Sequence, residues 1–373
     1  LYAFLVAKTY WPAGQAANYT TATANAVAWL LANASVMNVS TRDDGVNICP
    51  SGSGSCKAVY WYGEGEQTYS TGIVAGAVDL YGIAAGPNTV ATTTGPLAGM
   101  TWLQIAQGIT NAFAASQSTT ADNPSYGYYG GWRYSIPGNG DSDTSTTQWG
   151  VFSFIYDAAV GATTPASAKP LLAHYLTSVQ QASGGVCYDT TCGIGPDHSD
   201  AGGWLLSESY IGTPSSSAQV QKAITWLNTN WQSSPSNTWY GFFGHPYASL
   251  AVYKGLEANI GTGGTGGINN LLYSTCGGNL PSGTSCNWYQ DMVQWLVANQ
   301  NLDGSWSGYQ YWVDPISTGF DVSILSATVV PVAPPPLTGT PAPGTLLLAG
   351  LGIVALATFY FVARRRSSSM IKA

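Results

Sequence analysis

Charge is what this chain has least of. Only 8% of its 373 residues are Asp, Glu, Lys or Arg, and there are just three His. Ordinary soluble domains carry about 25% charged residues. A chain so poor in charge and so rich in Gly, Ser, Thr, Asn, Tyr and Trp reads as an exported surface protein more than a cytosolic enzyme. Positive charge is scarcer still, with 11 Lys and Arg against 18 Asp and Glu. All 18 acidic residues precede residue 345 but only 7 of the basic ones do, which leaves that part at a net −11. Such a surface repels phosphates, and this argues against nucleic acid as a partner.

Cysteine is sparse and locally paired: Cys49 with Cys56, Cys187 with Cys192, and Cys276 with Cys286. All six lie in Gly/Ser-rich or turn-rich segments. In an exported chain, disulfides that staple loops are the simplest reading. The rival is a zinc site, best placed at Cys187, Asp189, Cys192 and His198. No metal and no cofactor is expected.

One long apolar run without charge stands at the end of the chain. Thr345 to Val362 has no charge over 18 residues, about 27 Å as a helix, enough to cross a bilayer core. Arg364, Arg365 and Arg366 follow, so this end is expected to stay cytoplasmic and the rest to face outward. Before it, residues 329–344 form a linker with six Pro, stiff and extended. The expected organisation is an ectodomain over 1–328, the linker 329–344, a transmembrane helix over 345–363 and a basic cytoplasmic tail over 364–373. The expected location is a cell membrane, crossed once. The tail is also similar to bacterial sorting signals read by a membrane protease, although Pro341-Ala342-Pro343 departs from the Pro-Glu-Pro form.

What the chain does have is a loose repeat. Gln67, Asp143, His198, His245 and Asp314 each open a stretch of one shape. The next residue is Thr68, Thr144, Ser199, Pro246 or Pro315, and the stretch then runs into Ala, Gly and large apolar residues. Polar openers accept bonds from the free N–H groups of a helix start, and Pro just inside loses nothing there. The spacing predicts repeated helical hairpins with long insertions.

A second pattern lies between the openers. Trp295-Leu296, then Gln300, then Gly304-Ser305-Trp306 places Gln four residues after Leu and Gly-x-Trp a few residues on. Tyr175-Leu176 with Gln180 and Gly185-Val186-Cys187 repeats it with Cys in place of Trp, and Phe113 with Gln117 reaches Gly131-Trp132 after an insertion. The Gln is expected to bond backbone at the end of an outer helix and the Trp to cover the turn.

The Trp295, Gln300, Gly304 and Trp306 set matches the QW motif of squalene and hopene cyclases, and over roughly residues 20 to 328 the chain resembles the prenyltransferase/squalene-cyclase repeat family. The resemblance implies an all-α fold, an α/α toroid of inner and outer helices around a central cavity. Leu1 to Ala7 already reads as helix, so the start of that ring and an export signal are expected to precede Leu1. The resemblance also directs attention to Asp141-Ser142-Asp143. Class II cyclases protonate their substrate from an Asp-x-Asp-Asp motif, and here one carboxylate of that motif is missing. Asp143 is therefore the candidate proton donor and Asp141 its companion, with a helix cap as the simpler role for Asp143. Gln67, His198, His245 and Asp314 would ring one mouth of the toroid.

Three functions follow. The first is a membrane-anchored extracytoplasmic ring that binds an extended polysaccharide, peptide or lipid chain at its mouth. Exposed aromatic rings beside carboxyl and amide groups suit sugars. The second is an isoprenoid cyclase using Asp143. The third is a structural surface-layer or matrix protein.

Overall fold

The helices of this chain differ widely in how far they are buried. The computed structural model describes residues 1–50, 54–62, 65–121, 129–138, 140–231, 240–262 and 287–326. The chain divides into two units, Leu1–Ala333 and Pro334–Ala373, and every described residue lies in the first. Eleven α-helices are found among the described residues. They are α1 (Tyr2–Val6), α2 (Ala16–Ala32), α3 (Gln67–Ala85), α4 (Trp102–Ser116), α5 (Thr144–Val160), α6 (Ala168–Val179), α7 (His198–Ile211), α8 (Ala218–Thr229), α9 (Pro246–Ile260), α10 (Trp288–Ala298) and α11 (Asp314–Leu325).

Helices α5, α7 and α9 are buried on nearly every side. By contrast α8 buries only Val220, Ala223, Ile224 and Leu227, and α6 buries Leu172, Tyr175, Leu176 and Val179 besides its first residue. That spacing is a single apolar stripe, as a helix packed on one side requires. Together with the partly buried α3 and α11, helices α5, α7 and α9 pack on one another in chain order: α3 on α5, α5 on α7, α7 on α9 and α9 on α11. The series returns to its start, because α11 packs on α1 and α1 on α3. The remaining helices lie against this circuit: α4, itself largely buried, on α3 and α5; α6 and α8 on α7; and α10 on α11.

Small residues set how close these helices come. A Cβ on Gly202 would fall 2.3 Å from the carbonyl carbon of Ala251, and one on Gly255 would fall 2.3 Å from the Gly202 oxygen. Helices α7 and α9 therefore meet backbone to backbone, and no larger residue fits either position.

Four indoles perform the same task at four helix ends. The Nε1 of Trp61, Trp132, Trp204 and Trp306 donates to the carbonyl of Leu30, Phe113, Leu176 and Leu296 at 2.8, 2.7, 2.9 and 2.8 Å. The acceptors belong to α2, α4, α6 and α10, and each is one of the carbonyls that the end of a helix leaves without an internal partner. Gln300 Nε2 donates to the Gly304 carbonyl at 2.9 Å, as the sequence pattern leads one to expect. Cys187 stands where the second copy of the pattern should have Trp, and there Trp204 reaches across from α7 to take the vacant place.

The structure departs from an all-helical reading in one region. Strands β1 (Ala34–Val39) and β2 (Cys56–Trp61) pair antiparallel, with Val36 opposite Val59. The first strand shows no clean in-out alternation, so no period-2 signal marks it. Cys49, in the connection between the strands, forms a disulfide with Cys56 at the start of β2, and Cys187 and Cys192 form a second one. The second bond removes the zinc alternative at that place. Among the described residues no group of His, Cys, Asp and Glu is arranged to hold a metal. Cys276 and Cys286 lie outside the described residues, as do the linker 329–344, the expected membrane helix 345–363 and the tail 364–373. Among the described residues no helix is long and apolar enough to cross a membrane.

Candidate functional site

The N-terminal ends of α3, α5, α7 and α9 enclose a cavity of about 290 Å³. Its wall combines tyrosines (Tyr69, Tyr134, Tyr188 and Tyr247), the hydroxyls of Ser145 and Ser199, and the carboxyls of Asp197 and Asp200, with Ile194 at the edge. Helix starts bring these groups together. Asp197 is the N-cap of α7 and its Oδ1 accepts from the Asp200 N–H at 2.8 Å and from Ser199 Oγ at 2.7 Å. Ser145 lies in the first turn of α5, Tyr69 in that of α3 and Tyr247 in that of α9.

Asp200 is the least satisfied of these groups. It is fully buried, and neither of its carboxyl oxygens meets a hydrogen-bond donor among the described residues. Burial raises its carboxyl well above the ordinary carboxylate range, and contact with the Asp197 carboxyl raises it further. Burial raises Asp197 as well, against the hydrogen bonds it accepts. Two carboxyls in contact away from water hold one proton between them, because both cannot ionise. The tyrosines stay neutral for the same reason: burial first and the Asp143 charge second raise Tyr69, Tyr134 and Tyr188.

Asp143 lies behind this wall. It is the N-cap of α5, and its Oδ1 accepts from the Thr146 N–H at 2.7 Å and from Ser145 Oγ at 2.6 Å. Its Oδ2 accepts from Tyr188 at 3.2 Å and pairs with Arg133 Nε at 3.4 Å. Arg133 also pairs with Asp141 at 3.0 Å and lies over the rings of Tyr134 and Tyr188. Burial raises the Asp143 carboxyl above its ordinary value, while those hydrogen bonds and the guanidinium oppose the rise. A residue at a helix start with every oxygen engaged is a cap whatever else it does.

The other openers of the repeat divide into true caps and their neighbours. His245 caps α9, and its Nδ1 accepts from the Ala248 N–H at 3.3 Å. Gln67, His198 and Asp314 are instead the first helical residues, one step inside Glu66, Asp197 and Val313. For α7 this corrects the sequence reading, since the cap is Asp197 and not His198. His198 turns away into the protein: Nδ1 accepts from the Gly241 N–H at 3.0 Å and Nε2 donates to the Asn230 carbonyl at 2.9 Å. Burial lowers His198 to about 4, so the ring is a neutral strut between α7 and the end of α8. Burial lowers His245 to about 4 too. Asp314 accepts from the Gly308 N–H at 2.6 Å, and the side-chain oxygen of Gln67 is buried without a donor.

Beneath the cavity the space between the helices is filled by rings. Tyr2 of α1 touches Phe152 and Tyr156 of α5, Trp149 of α5 touches Phe320 of α11, and Tyr247 of α9 lies flat on Trp312 at 4.7 Å. Tyr69 of α3 joins this set through Trp149 and Tyr247. This cavity therefore lies at the helix starts, above the packed rings.

Asp197, Asp200, Tyr188 and Tyr247 were not picked out from the sequence. The run Asp197-His198-Ser199-Asp200 carried the signal, an acid three residues after a capping acid, and attention went to the histidine between them. No protein-family model matches the sequence, and comparison with curated proteins gives no match.

Proposed function

We propose that this chain is an exported, membrane-anchored ring of the prenyltransferase/squalene-cyclase repeat class that binds a saccharide chain at one mouth. The circuit of packed helices and the four indole bonds at outer-helix ends support an α/α toroid. The cavity at the helix starts supports binding, and the observation that carries it is Asp200, a buried carboxyl on that wall which shares a proton with Asp197 and meets no other partner among the described residues. A neutral carboxyl both donates and accepts, and with four tyrosines around it the cavity offers ring faces to C–H groups and hydroxyls to hydroxyls. At about 290 Å³ it stands at the small end of ligand cavities, room for one end or one unit of a chain rather than for a folded polyprenyl.

The aromatic filling between the helices weighs against the cyclase reading. A cyclase must enclose its substrate next to the acid, whereas Asp143 is covered by Tyr188 and Ser145. The same filling supports the structural alternative, from which the buried Asp197 and Asp200 pair on the cavity wall distinguishes the binding one.

The test is calorimetric titration of the full chain in detergent with neutral oligosaccharides, beside incubation with squalene read by mass spectrometry. Heat from a sugar that disappears in Asp200→Leu but persists in Asp200→Asn supports the proposal. A cyclised product that Asp143→Asn abolishes overturns it in favour of an enzyme. Silence toward both, from protein shown to be folded, leaves a structural ring.

A further inference from the structure

A second buried carboxyl lies far from Asp200 in chemistry. Between α9, α10 and α11 is a cavity of about 300 Å³, walled by Pro246, Ser249, Trp295, Trp306 and Asp321, with Asn299 and Asn301 at its rim. Asp321, in the middle of α11, is 4% exposed, and no donor among the described residues reaches it. Burial alone raises its carboxyl to about 7; no positive charge offsets it. Every Lys, Arg and His before residue 364 is among the described residues, and none of them pairs with Asp321.

Several donors of the lining are already engaged. Asn299 Nδ2 donates to the Trp295 carbonyl at 2.8 Å, and Asn301 Nδ2 donates to Ser305 and Ser307 at 3.1 and 3.4 Å. Ser249 Oγ donates to the Phe242 carbonyl at 2.6 Å, and Trp306 Nε1 donates to Leu296. The acceptors left open are the carboxyl of Asp321 and the side-chain oxygens of Asn299 and Asn301. Two indoles complete the wall, and the face of an indole attracts cations more strongly than any other side-chain ring. A site with oxygen acceptors, indoles and an unpaired carboxyl wants a ligand that brings N–H donors and positive charge.

We propose that the cavity between α9, α10 and α11 is a binding site for a primary organic ammonium, held by Asp321 as counter-ion, by the oxygens of Asn299 and Asn301, and by Trp295 and Trp306. The inference does not depend on the saccharide reading, since the two cavities share no residue. It gives the Trp295-to-Trp306 segment a part beyond packing: the turn that closes the outer helix also forms one wall of the site.

The test titrates the full chain in detergent at pH 8.5, where Asp321 is ionised, with methylammonium chloride. Tetramethylammonium chloride, sodium chloride and glucose serve as comparisons. The expected result is saturable binding of methylammonium, weaker binding of tetramethylammonium, which has no N–H to donate, and none of sodium or glucose. Asp321→Asn is expected to weaken methylammonium by about tenfold or more, as the loss of a charged partner does. Trp295→Leu is expected to weaken it by about threefold while leaving the acceptors in place. If Asp321→Asn does not fold, Asn301→Ala at the exposed rim takes its place, with an expected loss of about threefold. No binding to the unaltered chain, equal binding of tetramethylammonium or glucose, or full affinity in the substituted chains overturns the proposal.

Discussion

The two cavities are each built around a buried aspartate, and they ask for opposite ligands. Asp200 touches another carboxyl and is surrounded by tyrosine hydroxyls, so it holds a proton and behaves as a neutral donor and acceptor. Asp321 touches no other acid or base; its walls are indoles and amide oxygens, and a cation would complete it. A residue type alone does not define a site. The neighbours decide whether the same carboxyl presents a hydroxyl or a charge.

The broadest way to break the comparison is to remove what both cavities lean on. Helix α9 lends Tyr247 to the first and Pro246 and Ser249 to the second, and it rests on Gly202 of α7. Gly202→Val is expected to cost about 4 kcal/mol or more and to abolish both binding activities, measured by chemical denaturation and titration. Trp306→Ala separates the two: it removes a buried indole from the second cavity, costs about 3–5 kcal/mol, and leaves the sugar response intact. Replacing Cys187 and Cys192 together by Ser acts in the reverse sense. The bond closes a short loop, so its loss is expected to cost about 2 kcal/mol, and it loosens the segment that carries Tyr188 and Ile194 into the first cavity. Sugar binding falls and ammonium binding stays.

Acidity sharpens the comparison further. A carboxyl whose folded value is raised contributes its full stability below the unfolded value, near 3.8, and that contribution is lost as pH rises toward about 7, the folded value of Asp321. His198 and His245, lowered to about 4, work in the other direction, contributing above the ordinary histidine value and losing that contribution as pH falls. Comparison of Asp321→Asn with the unaltered chain isolates the acid. The variant is expected to lose less stability between pH 5.5 and pH 8.5, a difference of a few °C in Tm at about 2–4 °C per kcal/mol. The smallest effect belongs to Asp200→Asn. An amide replaces a neutral carboxyl with the same donor and acceptor, so sugar affinity is expected to stay within about threefold, whereas the same exchange at Asp321 is expected to abolish most ammonium binding.

Much of the fold is legible because it is local. A capping residue, a run of small and apolar residues and a stripe of four apolar positions depend only on chain neighbours, and α5, α7, α9 and α11 begin where the repeat places them, to within one residue. The QW pattern leads one to expect a backbone bond from Gln300 at the end of the outer helix, and the acceptor is the Gly304 carbonyl in the turn beyond it. It did not foretell that Trp204, from another helix, would stand in for the Trp missing at Cys187, since that substitution is made through space. The hairpin of β1 and β2 escaped for a related reason, because its strands are defined by each other and not by an alternation within either.

The sequence by itself determined that the chain is mostly helical and that its cysteines fall in three local pairs, two of which are disulfides in the structure. Tertiary structure alone decided which aspartates matter. Asp200 and Asp321 carry no motif and look like any acid in a helix; what sets them apart is burial, the absence of a donor, and the identity of the walls. Those properties arise when distant helices close around a side chain, and no spacing along the chain records them.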